Sequence, residues 1–191
     1  ANLYLLRPLP LEGISSRMTP VREGGRIAVI ENELWAGGKL QAKASACFQQ
    51  PLSIEGLPGT PERQVFEPET FPAWERPAFF KASNTNQGFL DLVDIRDTQH
   101  EDGMRAKWFR LKRGFHSAPT PFSAAMAVAD VSTLFTVTDA GAKPNAGGWP
   151  NADLSFHLAR QPKGEWIGVA QRGAWHGDGR GMTESEIFDA Y

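Results

Sequence analysis

Apolar and polar residues alternate along most of the chain, and glycine or proline separates the alternating stretches. A period of two is typical of strands with one buried face, and paired glycines mark tight turns. The pattern predicts a short strand at residues 2–6, followed by an antiparallel meander at residues 14–21, 26–35 and 40–49. Further strands are predicted at residues 89–96, 104–111, 152–160, 166–174 and 182–189. Cys47 lies in the last meander strand, where we expect a small buried residue.

Residues 121–135 predict the one convincing helix of the chain. Thr120 can cap it, and Pro121 suits the first helical position, where a missing N–H costs nothing. The interior is apolar on nearly every face, so we expect the helix to be buried all round. Asp130 interrupts this apolar run. It is either a structural acid, bonded to nearby backbone, Ser132 or Thr133, or a general base of an active site.

The chain also repeats itself. Residues 7–12, RPLPLE, match residues 160–165, RQPKGE, and residues 31–35 match residues 184–188 at the same offset of 153. This offset is far longer than a solenoid unit, so it predicts two copies of a domain. We assign residues 1–50 to the C-terminal part of a first module and the proline-rich residues 51–77 to a linker. Residues 78–191 then form a second module that lacks its last strand, and missing elements are expected on both sides of the chain.

Composition excludes several classes of function. The net charge of −2 gives no electrostatic case for nucleic acid or for a membrane surface. The helix is too short and too interrupted to span a bilayer, and the N-terminus has no signal-peptide pattern. A single cysteine fits a reducing compartment, and we therefore expect the cytoplasm. The histidines lack metal-ligand spacing, and neither a Gly-x-Ser-x-Gly elbow nor a phosphate-binding loop is present.

Three stretches resemble a known family. Residues 151–160 (NADLSFHLAR), 162–166 (PKGEW) and 179–187 (GRGMTESEI) look like the C-terminal half of the acyl-CoA thioesterase II-like, or TesB-like, double hot-dog family. Residues 5–10 (LLRPLP) are similar to the matching strand of its N-terminal half. The motifs are diffuse, but their order and spacing agree along nearly all of the chain outside the linker. The resemblance implies an α+β double hot-dog fold, with antiparallel sheets wrapped around a central helix.

The resemblance also implies a function, the hydrolysis of an acyl-CoA thioester to the free acid and coenzyme A without a metal or other cofactor. In this family an aspartate on the helix positions the attacking water, and Asp130 occupies that place. A hydroxyl residue is expected before the next strand, but Asn151 stands there. Its amide can hold a water or a carbonyl oxygen, so Asn151 is the second candidate catalytic residue, and its alternative role is that of a turn residue. A third residue, glutamine, is expected on a strand after Tyr191. Phe122, Met126 and Trp149 are candidates to line the acyl slot.

Two other functions stay open. The departure at Asn151 leaves room for a non-catalytic protein that binds acyl-CoA or fatty acyl groups. A hot-dog hydratase or dehydratase would need a histidine beside its acid, and none lies near Asp130 in sequence. A basic run is either a solvated strand face or a contact for an anion such as a coenzyme A phosphate; it comprises Arg105, Lys107, Arg110, Lys112 and Arg113. The sequence leaves homo-oligomerisation, the acyl-chain length and the physiological substrate in lipid metabolism open.

Overall fold

The computed structural model describes residues 1–10, 12–56, 65–76, 88–99, 105–112, 120–139 and 151–191, with helix side chains described as far as Ser132. The chain divides into two compact units. Unit 1 comprises Ala1–Pro61 and Pro150–Ala159, and unit 2 comprises Glu62–Trp149 and Arg160–Tyr191. Within the described residues, no helix has the length and apolar character needed to cross a membrane.

Unit 1 is an antiparallel sheet of five strands, in the order β2-β3-β4-β1-β7. The strands are β1 (Asn2–Leu5), β2 (Ile14–Arg22), β3 (Ile27–Ala36), β4 (Lys39–Gln49) and β7 (Asp153–Ser155). The predicted meander is confirmed, because β3 pairs with β2 on one side and with β4 on the other. Gly37 and Gly38 join β3 to β4 with φ angles of 55° and 71°, a backbone that glycine adopts without strain.

Two expectations for unit 1 are wrong in detail. Cys47 is exposed rather than buried, because the last three residues of β4 are exposed whichever face they occupy. The strand predicted at residues 152–160 forms only over the three residues of β7. Its ladder with β1 ends where the backbone N–H of Phe156 donates to the carbonyl of Ala1 at 2.7 Å.

In its described residues, unit 2 contains a four-stranded antiparallel sheet in the order β5-β6-β8-β9, and one α-helix. The elements are β5 (Val93–Gln99), β6 (Arg105–Leu111), α1 (Pro121–Asp139), β8 (Trp166–Gly177) and β9 (Arg180–Asp189). Short 3-10 helices lie at Pro68–Thr70 and Phe89–Asp91. The second of these occupies the start of the strand predicted at residues 89–96, so that strand begins at Val93 instead.

The two faces of the unit 2 sheet carry separate apolar clusters. On one face, Phe109 and Ile167 pack with Ala125 and Val128 of α1. On the opposite face, Trp108 is fully buried and its ring lies 5.1 Å from that of Phe188, in a T-shaped contact. Each cluster removes apolar side chains from water, which is the main favourable term in folding. The helix and the chain on the far side therefore enclose the sheet between them.

Residues 65–76 fold onto the sheet of unit 2, although they fall within the predicted linker, and their first half covers its far side. Phe66 and Phe71 pack beside Trp108, with ring centroids 5.0 and 6.3 Å from its own. The backbone N–H of Trp74 donates to the carbonyl of Ile95 at 3.0 Å. Phe66 and Phe71 thus complete the apolar cluster around Trp108, whereas Trp74 pairs with the edge strand β5 and packs on the cluster beneath α1.

The predicted helix and its cap are confirmed, but the expectation of burial all round is wrong. The hydroxyl of Thr120 accepts a hydrogen bond from the backbone N–H of Ser123 at 3.1 Å, as a capping residue should. Phe122 and Asp130 are exposed, whereas Val128 is 1% exposed. Only one side of α1 packs against the sheet. The apolar composition of the helix did not reveal this division, because its exposed side also carries apolar residues.

The sequence repeat reappears in the strand pairing. Ile14 pairs with Ala36, and Ile167 pairs with Asp189, so that the two pairs are separated by the same offset of 153. Both ladders contain one irregularity, between Pro20 and Arg22 in β2 and at Gln171/Gly173 in β8. Beyond it the offset is kept, since Arg22 pairs with Val29 and Trp175 with Met182. By the repeat offset, the bulge in β8 lies two residues earlier than the one in β2, so the β2–β3 and β8–β9 ladders share their register on both sides of the bulge but not the position of the bulge.

Candidate active site

Helix α1 brings three of the predicted site residues to one side. Phe122, Met126 and Asp130 are four residues apart, so they follow one another along a single stripe at about 6 Å per step. Phe122 is 40% exposed, Met126 is half-buried and Asp130 is exposed. We call these three residues the helix stripe. The helix stripe consists of two apolar side chains followed by a carboxylate, and solvent reaches both the apolar side chains and the carboxylate.

The opposite side of α1 holds the helix in place. Its buried positions are small or compact: Ala124, Ala125, Val128, Ala129 and Ser132. The alanines allow the helix to approach the sheet closely. The hydroxyl of Ser132 donates a hydrogen bond to the carbonyl of Ala129 at 2.9 Å, so its polar group is satisfied within the helix. Because this side is anchored, the helix stripe is directed away from the sheet of unit 2.

Asn151 belongs to unit 1, whereas Asp130 belongs to unit 2. Asn151 is half-buried and lies two residues before β7. The neighbouring Ala152 is fixed to the sheet, because its carbonyl accepts a hydrogen bond from the backbone N–H of Leu5 at 3.0 Å. Asn151 is thus held at the start of a paired strand, where its amide can donate or accept. Trp149, the third predicted lining residue, lies outside the described residues.

The basic run is solvated only in part, because Arg105 and Lys112 are exposed whereas Lys107 and Arg110 pair with acids. Lys107 is 4% exposed and lies 3.6 Å from a carboxylate oxygen of Asp97. Arg110 pairs with Asp94 at 3.0 Å and stacks over the ring of Trp166 at 4.7 Å. The acids are on β5, where Asp94 and Asp97 stand directly opposite Arg110 and Lys107, and this cross-strand pairing was the signal that sequence reasoning missed. Arg113 lies outside the described residues.

Sequence reasoning also missed a buried acid at the end of β9. The side chain of Asp189 is 1% exposed and is bound by both terminal nitrogens of Arg160. It also accepts hydrogen bonds from the backbone N–H groups of Lys163, at 2.7 Å, and Tyr191, at 3.0 Å. Burial on its own would raise the pKa of Asp189, but these donors outweigh it and hold the pKa below its ordinary value. Every partner is a donor, so the carboxylate is held ionised as a structural anchor.

A metal centre finds no support in the part of the chain that the structure describes. No group of three or more histidine, cysteine, aspartate or glutamate side chains is arranged there to hold an ion. The described chemistry at the helix stripe is instead that of one accessible carboxylate beside apolar side chains. Such a carboxylate can accept a proton from water, and the apolar neighbours can bind a hydrocarbon group.

A family model described as the acyl-CoA thioesterase C-terminal domain matches residues 61–191, a range that includes the helix stripe and Asn151. The chain belongs to this family. The resemblance seen in the sequence is therefore confirmed. Comparison with the curated proteins gives no match.

Solved structures agree on the fold. A protein of Novosphingobium aromaticivorans assigned as a thioesterase has a TM-score of 0.77 and 15% identity, covering 99% of this chain and 72% of that chain. A protein of Thermobifida fusca assigned as a thioesterase II has a TM-score of 0.70 and 16% identity, covering 99% and 73%. A protein of unknown function with a hot-dog fold, from Alicyclobacillus acidocaldarius, has a TM-score of 0.71 and 14% identity, covering 97% and 70%. At these identities the likeness shows the hot-dog fold alone.

Proposed function

We propose that this protein hydrolyses an acyl-CoA thioester to a free acid and coenzyme A. Membership of the acyl-CoA thioesterase family supports this class of reaction. The observation that carries the proposal is the helix stripe, in which Asp130 follows Met126 and Phe122 on the side of α1 that does not pack on the sheet. A thioester needs a base near its carbonyl and an apolar surface for its acyl group, and the stripe supplies both in adjacent turns.

In the proposed mechanism, Asp130 accepts a hydrogen bond from a water molecule and takes its proton as the water oxygen attacks the thioester carbonyl carbon. The carbonyl oxygen becomes an oxyanion, and the tetrahedral intermediate then collapses with cleavage of the carbon–sulfur bond. The proton held by Asp130 passes to the coenzyme A thiolate that leaves. Water thereby supplies the oxygen of the acid and the proton of the thiol, and the carboxylate is regenerated.

Asn151 is the proposed partner of the oxyanion. Its amide N–H₂ can donate to a developing negative charge, as can backbone N–H groups beside it, and such donors typically contribute more to acyl transfer than to substrate binding. An asparagine keeps this donor capacity where the family resemblance predicts a hydroxyl. Phe122, Met126 and Trp149 would line the acyl slot. No metal or organic cofactor takes part in this scheme.

The proposed architecture is a double hot-dog in which each antiparallel sheet wraps around a helix. The matching registers of β2–β3 and β8–β9 support two modules, with residues 1–50 in the first, 51–77 connecting them and 78–191 in the second. In unit 2, α1 packs against the sheet face that carries Phe109 and Ile167. By the offset of 153, Ile14 on β2 is the equivalent of Ile167. The corresponding face of the first module is thus expected to be the apolar one.

The test is Asp130→Asn in the complete protein, assayed by release of coenzyme A with a thiol reagent. Asparagine keeps the shape of the side chain and removes its basicity, so turnover should fall by about 10²–10⁴-fold while the melting temperature changes little. Glu184→Gln is the matched control, since Glu184 is an exposed acid of the same unit on β9 rather than on α1. Normal turnover in folded Asp130→Asn would rule out this base.

The same assay separates the alternatives. A wild-type protein that binds acyl-CoA without releasing the thiol would be a binding protein, as the substitution at Asn151 allows. Hydration of an enoyl-CoA without thiol release would instead identify a hydratase. Either outcome would overturn the thioesterase proposal while leaving the hot-dog fold intact.

A further inference from the structure

The apolar part of the helix stripe has a defined end. Phe122 is the second residue of α1, and the residues around it form the polar cap of the helix. The hydroxyl of Thr120 accepts from the backbone N–H of Ser123, and the hydroxyl of Ser123 donates to the carbonyl of Thr120 at 2.9 Å. Among the described residues, a hydrocarbon group that follows the helix stripe away from Asp130 therefore meets this polar, hydrogen-bonded turn next to Phe122.

The length of the stripe follows from helix geometry. Eight residues separate Phe122 from Asp130, which is about 12 Å at 1.5 Å per residue. An extended chain of single bonds advances about 1.2 Å per bond, since the three backbone bonds of an extended residue span about 3.6 Å. An acyl chain whose carbonyl lies beside Asp130 therefore needs about ten bonds to reach Phe122, the far end of the helix stripe. Met126 stands halfway, at about five bonds.

On the basis of the proposed function, we infer that the acyl chain runs along α1 towards its N-terminus and that Phe122 sets the upper limit of productive chain length, near ten carbons. Met126 contacts the middle of the chain and Phe122 its far end. Methylene groups along the helix stripe are removed from water and strengthen binding, whereas those beyond Phe122 lie beside the polar cap of the helix and add little. The favoured substrates are thus thioesters of medium-length acyl groups.

The experiment measures kcat/KM for a series of saturated acyl-CoA thioesters, from four to sixteen carbons, with the complete protein. For the wild type, kcat/KM should rise about two- to fourfold per methylene and level off near ten carbons. Met126→Ala should weaken every substrate longer than about five carbons. Phe122→Ala should leave butanoyl-CoA within twofold of wild type and lower decanoyl-CoA about tenfold or more, since burial of an aromatic side chain is lost.

Two further variants make the result decisive. Phe122→Leu keeps most of the apolar volume and should give a smaller loss at the same chain lengths, which guards against a folding defect in the alanine variant. Trp175→Ala removes another exposed aromatic side chain, 54% exposed on β8 of the same unit, and should leave the chain-length profile unchanged.

The outcomes distinguish this inference from the proposed function. Thiol release that continues to rise to sixteen carbons, or an equal loss at all chain lengths in Phe122→Ala, would overturn the role of Phe122 while the thioesterase proposal stands. A Phe122→Ala profile identical to that of the wild type would show that the acyl chain runs elsewhere. Absence of thiol release from every acyl-CoA in the wild type would reject the proposed function itself.

Discussion

Removing the charge of Asp189 should destabilise unit 2 more than any surface charge can. Its carboxylate is bound by Arg160 and by the backbone N–H groups of Lys163 and Tyr191, and it is 1% exposed. In Asp189→Asn, an amide N–H₂ group replaces one carboxylate oxygen. A donor then faces the N–H donors of Arg160 and of the backbone, and no acceptor is left for them at that position. Breaking a buried ion pair typically costs about 3–5 kcal/mol. Because the Arg160 side chain is 38% exposed and can regain water, we expect the lower end, about 3 kcal/mol.

The effect should depend on pH in one direction. The pKa of Asp189 is lower in the folded protein than in the unfolded chain. The stabilisation is therefore complete above the unfolded pKa and is lost as the pH falls through the folded pKa, because the unfolded chain binds the proton first. The difference between wild type and Asp189→Asn should be largest above about pH 5 and should shrink steadily in more acidic solution.

Urea unfolding at several pH values measures both quantities. Glu186→Gln is the control, since Glu186 on the same strand pairs with Arg172 while the two side chains are 33% and 47% exposed. Such an exposed pair contributes at most about 1 kcal/mol. A change below about 0.5 kcal/mol in Asp189→Asn at neutral pH, or a difference that stays constant down to acidic pH, would refute the assignment of Asp189 as an ionised anchor.

Two further predictions concern packing and capping. A Cβ at Gly168 would lie 2.6 Å from the ring of Phe188, so Gly168→Ala should destabilise unit 2 by about 1–3 kcal/mol in the same unfolding assay. Gly181→Ala is the control, because its Cβ would make only ordinary contacts, and it should lower stability by less than about 1 kcal/mol. Thr120→Ala removes the cap of α1 and should lower stability by about 1 kcal/mol. Thr120→Ser should restore most of it, and no recovery with serine would argue against capping as the cause.

The sequence by itself determined the order and direction of most elements. The alternating pattern and paired glycines were enough for the β2–β3–β4 meander, because a period of two and a turn without Cβ atoms leave few other arrangements. The helix and its Thr120 cap were also predictable, since their signals are local. The repeat offset predicted matching strand pairs, and the β2–β3 and β8–β9 ladders keep that offset on both sides of their bulges.

Only the tertiary structure decided which surfaces are buried. The apolar composition of α1 suggested burial on every side, but the sheet covers only one side of the helix and leaves Phe122 and Asp130 exposed. The charged run on β6 suggested a free basic face, but β5 supplies Asp94 and Asp97 opposite it. Asp189 gave no local signal, because its partner Arg160 is distant in sequence. The local preference for a helix, strand or turn depends on residues that are neighbours in sequence. Burial and charge pairing depend instead on residues that are distant in sequence and come together only when the chain folds.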